Sequence, residues 1–129
     1  MRVRFAHWIP RRLKVEGIVL YPYILFSQPM SEVSPHILQH EFIHVRQVRA
    51  KGPLHFYASY GWQYFREIRQ TRHHDTAYRK ISFEQEAYAG QETAVLSAAE
   101  EAELGLTIAH GPHGKRAVVK TLEGKTWRA

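Results

Sequence analysis

His40 and His44 stand four residues apart in the stretch QHEFIHVRQ, with Glu41 directly after the first of them. At this spacing on a helix two imidazoles project from one face, about a turn apart, and both can reach one tetrahedral metal ion. The intervening carboxylate leans toward the open side of such an ion. There it can take a proton from a metal-polarised water and later deliver it to a leaving group. The parts of metal-assisted hydrolysis are therefore present: two ligands and a general base. A chain with nine histidines can also place two of them on a helix as ordinary polar residues. Phe42, Ile43, Val45 and Val48 argue against that plainer reading, because they make the helix apolar around the pair. Buried imidazoles without partners cost free energy. The chain has no cysteine, so the expected ion, Zn²⁺, has to be held by histidine and carboxylate.

The third ligand narrows the class. The extended pattern HExxHxxGxxH fails, because Gln47 and Ala50 occupy the positions of its glycine and third histidine. What remains is a carboxylate from a later helix, and ISFEQEAYAGQ offers Glu84 and Glu86. About 200° apart around a helix, these two cannot face the same ion. Either could instead be an acidic residue that favours a helix N-terminus, with no metal involved.

HEFIHVRQ followed by AYRKISFEQEAYA resembles the gluzincins, specifically the short minimal versions found in bacteria and tailed phages. The resemblance covers residues 17–104. It implies a minimal zincin-like domain with His40, His44 and Glu84 on Zn²⁺ and Glu41 as general base. In that family the ligand glutamate is followed three residues later by a small residue, usually Ala, and then by Asp. Glu84 with Ala87 and Tyr88 fits this register, and Glu86 with Ala89 and Gly90 fits it less well. Tyr88 is the departure: a phenol orients a ligand histidine more weakly than the usual carboxylate. The resemblance further implies a peptide or protein substrate aligned along an edge strand, for which VLYPYILF is the candidate, interrupted by Pro22. Zincins often add a Tyr or His that stabilises an oxyanion. Tyr78, His73 and His74 are candidates, although exposed loop residues are the plainer reading. Asp75, the sole aspartate, serves equally as a turn residue or an orienting partner.

The elements that must position these groups are legible in part. GIVLYPYILFSQP is β-branched and aromatic and reads as a strand or short hairpin, with Pro22 at a break or an edge. Ser34 and Pro35 open a helix over 35–51, which Gly52 and Pro53 end. A second helix follows in LHFYASYGWQYFREIRQ. It is aromatic nearly all round, as expected of a helix buried in the core or lying against a membrane or partner. Core packing is the expectation for Phe56, Tyr57, Tyr60, Trp62, Tyr64 and Phe65, over a stacking surface for bases or sugars. A third helix is expected to start at a Ser82–Gln85 capping box and run to Gly105. A short strand is expected at 117–121. Strand or hairpin first and three principal helices after it define an α+β domain. Its expected extent is 1–109, with 110–129 as a basic, Gly-rich tail in which His110 and His113 belong to a linker or docking arm.

The chain of 129 residues is long enough for one core, and 44% hydrophobic with 23% charged residues is ordinary for a globular protein. A net charge of +6 favours anionic partners. Arg46, Arg49, Lys51, Arg66, Arg69 and Arg72 fall at spacings that solvated helix faces use, and no nucleic-acid motif accompanies them. No signal-peptide pattern and no segment of transmembrane length is found, so a cytoplasmic location is expected. The rival to a peptidase is a zincin-like fold serving as a structural or interaction component of an oligomer or larger assembly, such as a phage particle.

Overall fold

The computed structural model describes residues 1–93, 95–111, 115–122 and 125–126, and they form a mixed α+β fold. The N-terminal sheet has three strands, β1 (Arg2–Arg4), β2 (Gly17–Leu20) and β3 (Tyr23–Phe26), in the order β1-β3-β2. β2 and β3 form an antiparallel hairpin in which Gly17 pairs with Phe26 and Leu20 with Tyr23. Pro22 lies in its turn, after a cis Tyr21–Pro22 peptide, so it interrupts no ladder. β1 runs parallel to β3 on the other side and was not foreseen, being only three residues long. β2 is left at the edge of the sheet. A short helix, α1 (Trp8–Leu13), links β1 to the hairpin.

Helix α2 (Pro35–Lys51) spans the expected residues, with Pro35 in its first turn. Ser34 stands at the N-cap, although its hydroxyl makes no capping bond. The helix is buried from Leu38 through Val45 and again at Gln47 and Val48, so it runs through the middle of the fold. Leu38, Phe42, Val45 and Val48 are fully enclosed beside Ile24 and Phe26 of the sheet. Gly52, at φ +87°, ends α2 and begins α3 (Pro53–Thr71), a backbone conformation that favours glycine. Its N–H donates to the Val48 carbonyl and its own carbonyl accepts from Phe56.

The aromatic helix differs from expectation. Of its aromatic residues only Phe56 is buried; Tyr57, Tyr60 and Tyr64 are half-buried, and Trp62 and Phe65 are exposed. The reason is that α3 packs one edge against α2 and α4 (His74–Lys80), and nothing among the described residues covers its outer face. His73 and His74, expected in a loop, instead begin α4, with the His73 ring accepting from the Thr76 N–H.

The third helix is also broken. α5 (Ser82–Gly90) ends before Gln91, and a separate α6 (Ala98–Leu104) starts after Ser97. The capping box lies at Ser97 and Glu100, not at Ser82 and Gln85. At the start of α5 the Ser82 N–H donates to Gln63 of α3, so a tertiary contact replaces the local cap. α6 leads through Gly105 into a hairpin of β4 (Leu106–His110) and β5 (Arg116–Leu122), followed by β6 (Lys125–Thr126). The hairpin places Leu106 and Val118 in the core. His110 ends β4, and His113 lies outside the described residues. Arg46 binds Glu100 through two nitrogens, at 2.9 and 2.7 Å, and Arg49 pairs with Glu103. Both arginines thus tie α2 to α6. No helix among the described residues is long and apolar enough to cross a membrane.

Phe42 is fully enclosed one position after the motif glutamate. Phe42→Ala is therefore expected to cost about 3–5 kcal/mol, read as a lower urea midpoint with unchanged slope.

Candidate metal centre

α2 carries five polar residues into the interior: Gln39, His40, Glu41, His44 and Gln47. Such groups are tolerated only where partners meet them. α5 supplies the principal one. Glu84, 2% exposed, lies between the two histidines, with Oε1 3.0 Å from His40 Nε2 and Oε2 3.0 Å from His44 Nε2. One potential ligand atom from each of the three residues lies within 4.8 Å of the others. Glu86 points away; it is exposed and accepts from Gln47 Nε2 at 3.1 Å.

Each histidine is oriented by its second nitrogen. His40 Nδ1 meets Gln91 Oε1 at 2.8 Å, and His44 Nδ1 meets Gln47 Oε1 at 2.8 Å. Acceptor oxygens there hold Nδ1–H of each ring and turn Nε2 toward Glu84, so Nε2 is the atom a metal would take once any proton on it is displaced. Gln47 is itself held by the Phe83 carbonyl. The Tyr60 hydroxyl donates to Glu84 Oε2 at 2.7 Å. Tyr88 meets His40 through its ring, which stands edge-on with the centroids 4.6 Å apart. Gln91 is the C-cap of α5 with helical backbone angles and stands about two turns after Glu84, on the same face. The sequence offered no sign of Gln91, and Gln47 entered only as a reason to reject the longer motif.

The donor set fits a metal ion on the observations of this site. His44 Nε2 is buried and makes no directed hydrogen bond among the described residues, although Glu84 is 3.0 Å away. The short distance with poor direction means that the ring nitrogen does not aim at the carboxylate oxygen. Two neutral-capable imidazoles and one carboxylate match a His₂Glu site with room for further ligands. Burial disfavours charge on His44, but Glu84 and Glu41 outweigh it and raise its pKa to about 9. Burial likewise opposes ionisation of Glu84, yet hydrogen bonds from His40 and Tyr60 and the close His44 imidazole hold its pKa far below the ordinary carboxylate range.

Glu41 occupies a different position. It is 4% exposed, and its Oε2 is buried without a hydrogen bond among the described residues. Burial raises its pKa, with the two histidines opposing the shift. Edge strand β2 lies directly against it: a Cβ on Gly17 would stand 3.0 Å from Glu41 Cγ and 3.2 Å from Oε1. Gly17 is thus the residue that lets the carboxylate lie under the strand, a role invisible in a glycine that merely precedes a β run.

Two cavities meet at this point. One, of about 390 Å³, is walled by apolar groups including Leu13, Ile18, Leu20, Phe56 and Tyr57. The other, of about 340 Å³, is polar and includes Lys14, His36, Asp75, Arg79 and Gln91. Glu41, Gly17, His74 and Tyr78 line both. Tyr78 and His74 therefore reach the site, and Asp75 lines the polar side, whereas His73 is spent as a cap. Burial, with Glu84 and Glu41 nearby, pushes the Tyr78 pKa up and keeps the phenol a donor. Comparison with known proteins finds no matching family model, no matching curated protein and no matching solved structure.

His40→Ala and Glu84→Ala are each expected to abolish metal retention, and Glu86→Ala to preserve it, measured by mass-spectrometric metal content. Glu84 is ionised throughout the working range, so the proton on His44 is the competitor that a metal must displace. Zinc affinity should rise with pH up to about 9, by up to a factor of about ten per unit, and then level off in competition titrations.

Proposed function

We propose that the chain is a zinc-dependent peptidase or amide hydrolase of the gluzincin type. The observation that carries this reading is Glu41: a buried acid with one carboxyl oxygen lacking a hydrogen bond among the described residues, beside a His₂Glu cluster and at the junction of two cavities. A purely structural metal site has no use for an unpaired carboxyl there, and its burial is a cost that the fold bears. His40, His44 and Glu84 would hold the ion. Bound zinc supplies a Lewis acid that polarises an amide carbonyl and acidifies a water.

The remaining work falls to the protein's own groups. Glu41, whose pKa burial raises, is the candidate to accept a proton and return it to the departing amine. The Tyr78 hydroxyl, a donor lining both cavities, is the candidate partner for the oxygen that gains charge. β2 lies at the sheet edge and lines the apolar cavity from Gly17 to Leu20. An extended peptide laid along it would present an apolar side chain to that cavity and the reacting carbonyl to Glu41.

A non-catalytic role as a structural or interaction component of an assembly, such as a phage virion, is the alternative. The feature that favours it is the pair of neutral amides, Gln91 and Gln47, orienting both histidines where a carboxylate would raise ligand basicity more strongly.

The deciding test uses zinc-loaded protein and quenched peptides carrying a bulky apolar residue beside the scissile bond. Glu41→Gln is expected to lower turnover by about 10²–10⁴-fold, with zinc content unchanged and thermal stability equal or higher. Gly17→Ala should displace the same carboxylate, reducing kcat far more than it alters KM. A zinc-replete wild type that cleaves no peptide in a broad library would favour the assembly role.

A further inference from the structure

Helix α3 presents two adjoining rows of apolar side chains. Tyr57, Tyr60 and Tyr64, at helical spacing, line the apolar cavity. Leu54, Trp62 and Phe65 stand on the outer face, 87%, 62% and 50% exposed. Ala58 and Gly61 lie among them and are exposed as well. Gly61 joins the two rows, one turn after Tyr57 and one turn before Phe65, with nothing within 4 Å of where its Cβ would be. Across the cavity, Leu13 and Leu20 are wall residues that also reach solvent, 51% and 38% exposed. An apolar surface therefore continues from inside the cavity, over its rim, and onto the outer face of a 19-residue helix. Soluble chains seldom leave such a surface uncovered.

The flanking charge identifies what covers it. Arg69 stacks on the ring of Phe65, 5.7 Å from its centroid, and Arg72 follows at the helix end. Arg12 and Lys14 flank Leu13 and are exposed. None of these four makes an ion pair among the described residues, whereas Arg46 and Arg49 do and Arg66 meets Glu67 at 3.5 Å. Exposed Trp and Phe bordered by unpaired basic groups, on a helix unable to span a bilayer, suit the interface between acyl chains and anionic headgroups.

We propose that the outer face of α3 seats on an anionic lipid surface and holds the mouth of the apolar cavity against it. This inference does not depend on the metal centre being catalytic.

The test is co-sedimentation of the full chain with phosphatidylcholine vesicles, with and without about one third phosphatidylglycerol. Wild type is expected to bind the anionic vesicles and not the neutral ones. Trp62→Ser/Phe65→Ser should weaken binding at least about tenfold, and Arg69→Gln/Arg72→Gln should weaken it and flatten its salt dependence. These side chains are exposed, so circular dichroism should be unchanged. In a Trp8→Phe/Trp127→Phe background, Trp62 emission should shift to the blue and be quenched by brominated acyl chains. Absence of binding to anionic vesicles, or binding undiminished in Trp62→Ser/Phe65→Ser, overturns the proposal. So does a wild-type dimer in sedimentation that Trp62→Ser splits, which would assign this face to a second copy of the chain.

Discussion

A run of polar side chains at the centre of a small domain is the constraint on which this fold turns. Between Leu38 and Val48, helix α2 alternates enclosed hydrocarbon with Gln39, His40, Glu41, His44 and Gln47, all nearly inaccessible to water. In a low-dielectric interior such groups are costly when unpaired and rigidifying when paired. The surrounding elements are arranged to meet them. α5 contributes Glu84, the turn beyond it contributes Gln91, and α3 contributes the Tyr60 hydroxyl that steadies Glu84. The hydrocarbon half of α2, from Leu38 to Val48, anchors this polar cluster to the sheet.

Glu41 stands apart because the fold does not satisfy it. His40 and His44 each have a Glu84 oxygen 3.0 Å from Nε2, while this carboxyl is pressed beneath the backbone of β2 at Gly17 with one oxygen unpartnered among the described residues. Stability alone would select a different residue there. Unsatisfied polar groups that a protein keeps at the junction of two cavities are where local energetics and function disagree. The cavities on either side of this carboxyl differ in character, apolar on one side and polar on the other.

What the sequence discloses follows the range of the forces involved. The boundaries of α2 are local matters, set by Pro35 and by Gly52–Pro53, and could be read directly. The i, i+4 histidine pair is local too, and of the two carboxylates offered for the pair Glu84 is enclosed beside it and Glu86 meets solvent. The α5–α6 break was missed although Ser97 and Glu100 form a local capping box, because the residues around it are good helix formers. Gln91, Gly17 and the Gln63 cap at Ser82 could not have been found, since each acts through a contact between segments distant in the chain. The aromatic helix misled for another reason: composition tells how apolar a helix is, not how much protein is available to cover it.

The joint at Gly52 couples these parts in a way that length, more than chemistry, controls. A single residue separates the last turn of α2 from the first of α3, and Gly52 serves as the end of one and the start of the other. Because each helical residue turns the face by about 100°, one residue inserted or deleted here would rotate every side chain of α3 relative to the histidines. Tyr60 would swing off Glu84, the tyrosine wall would leave the cavity, and the outer apolar row would face elsewhere. The elbow acts as a phase lock, so the spacing across it is less free to drift than the identities of most residues on either side.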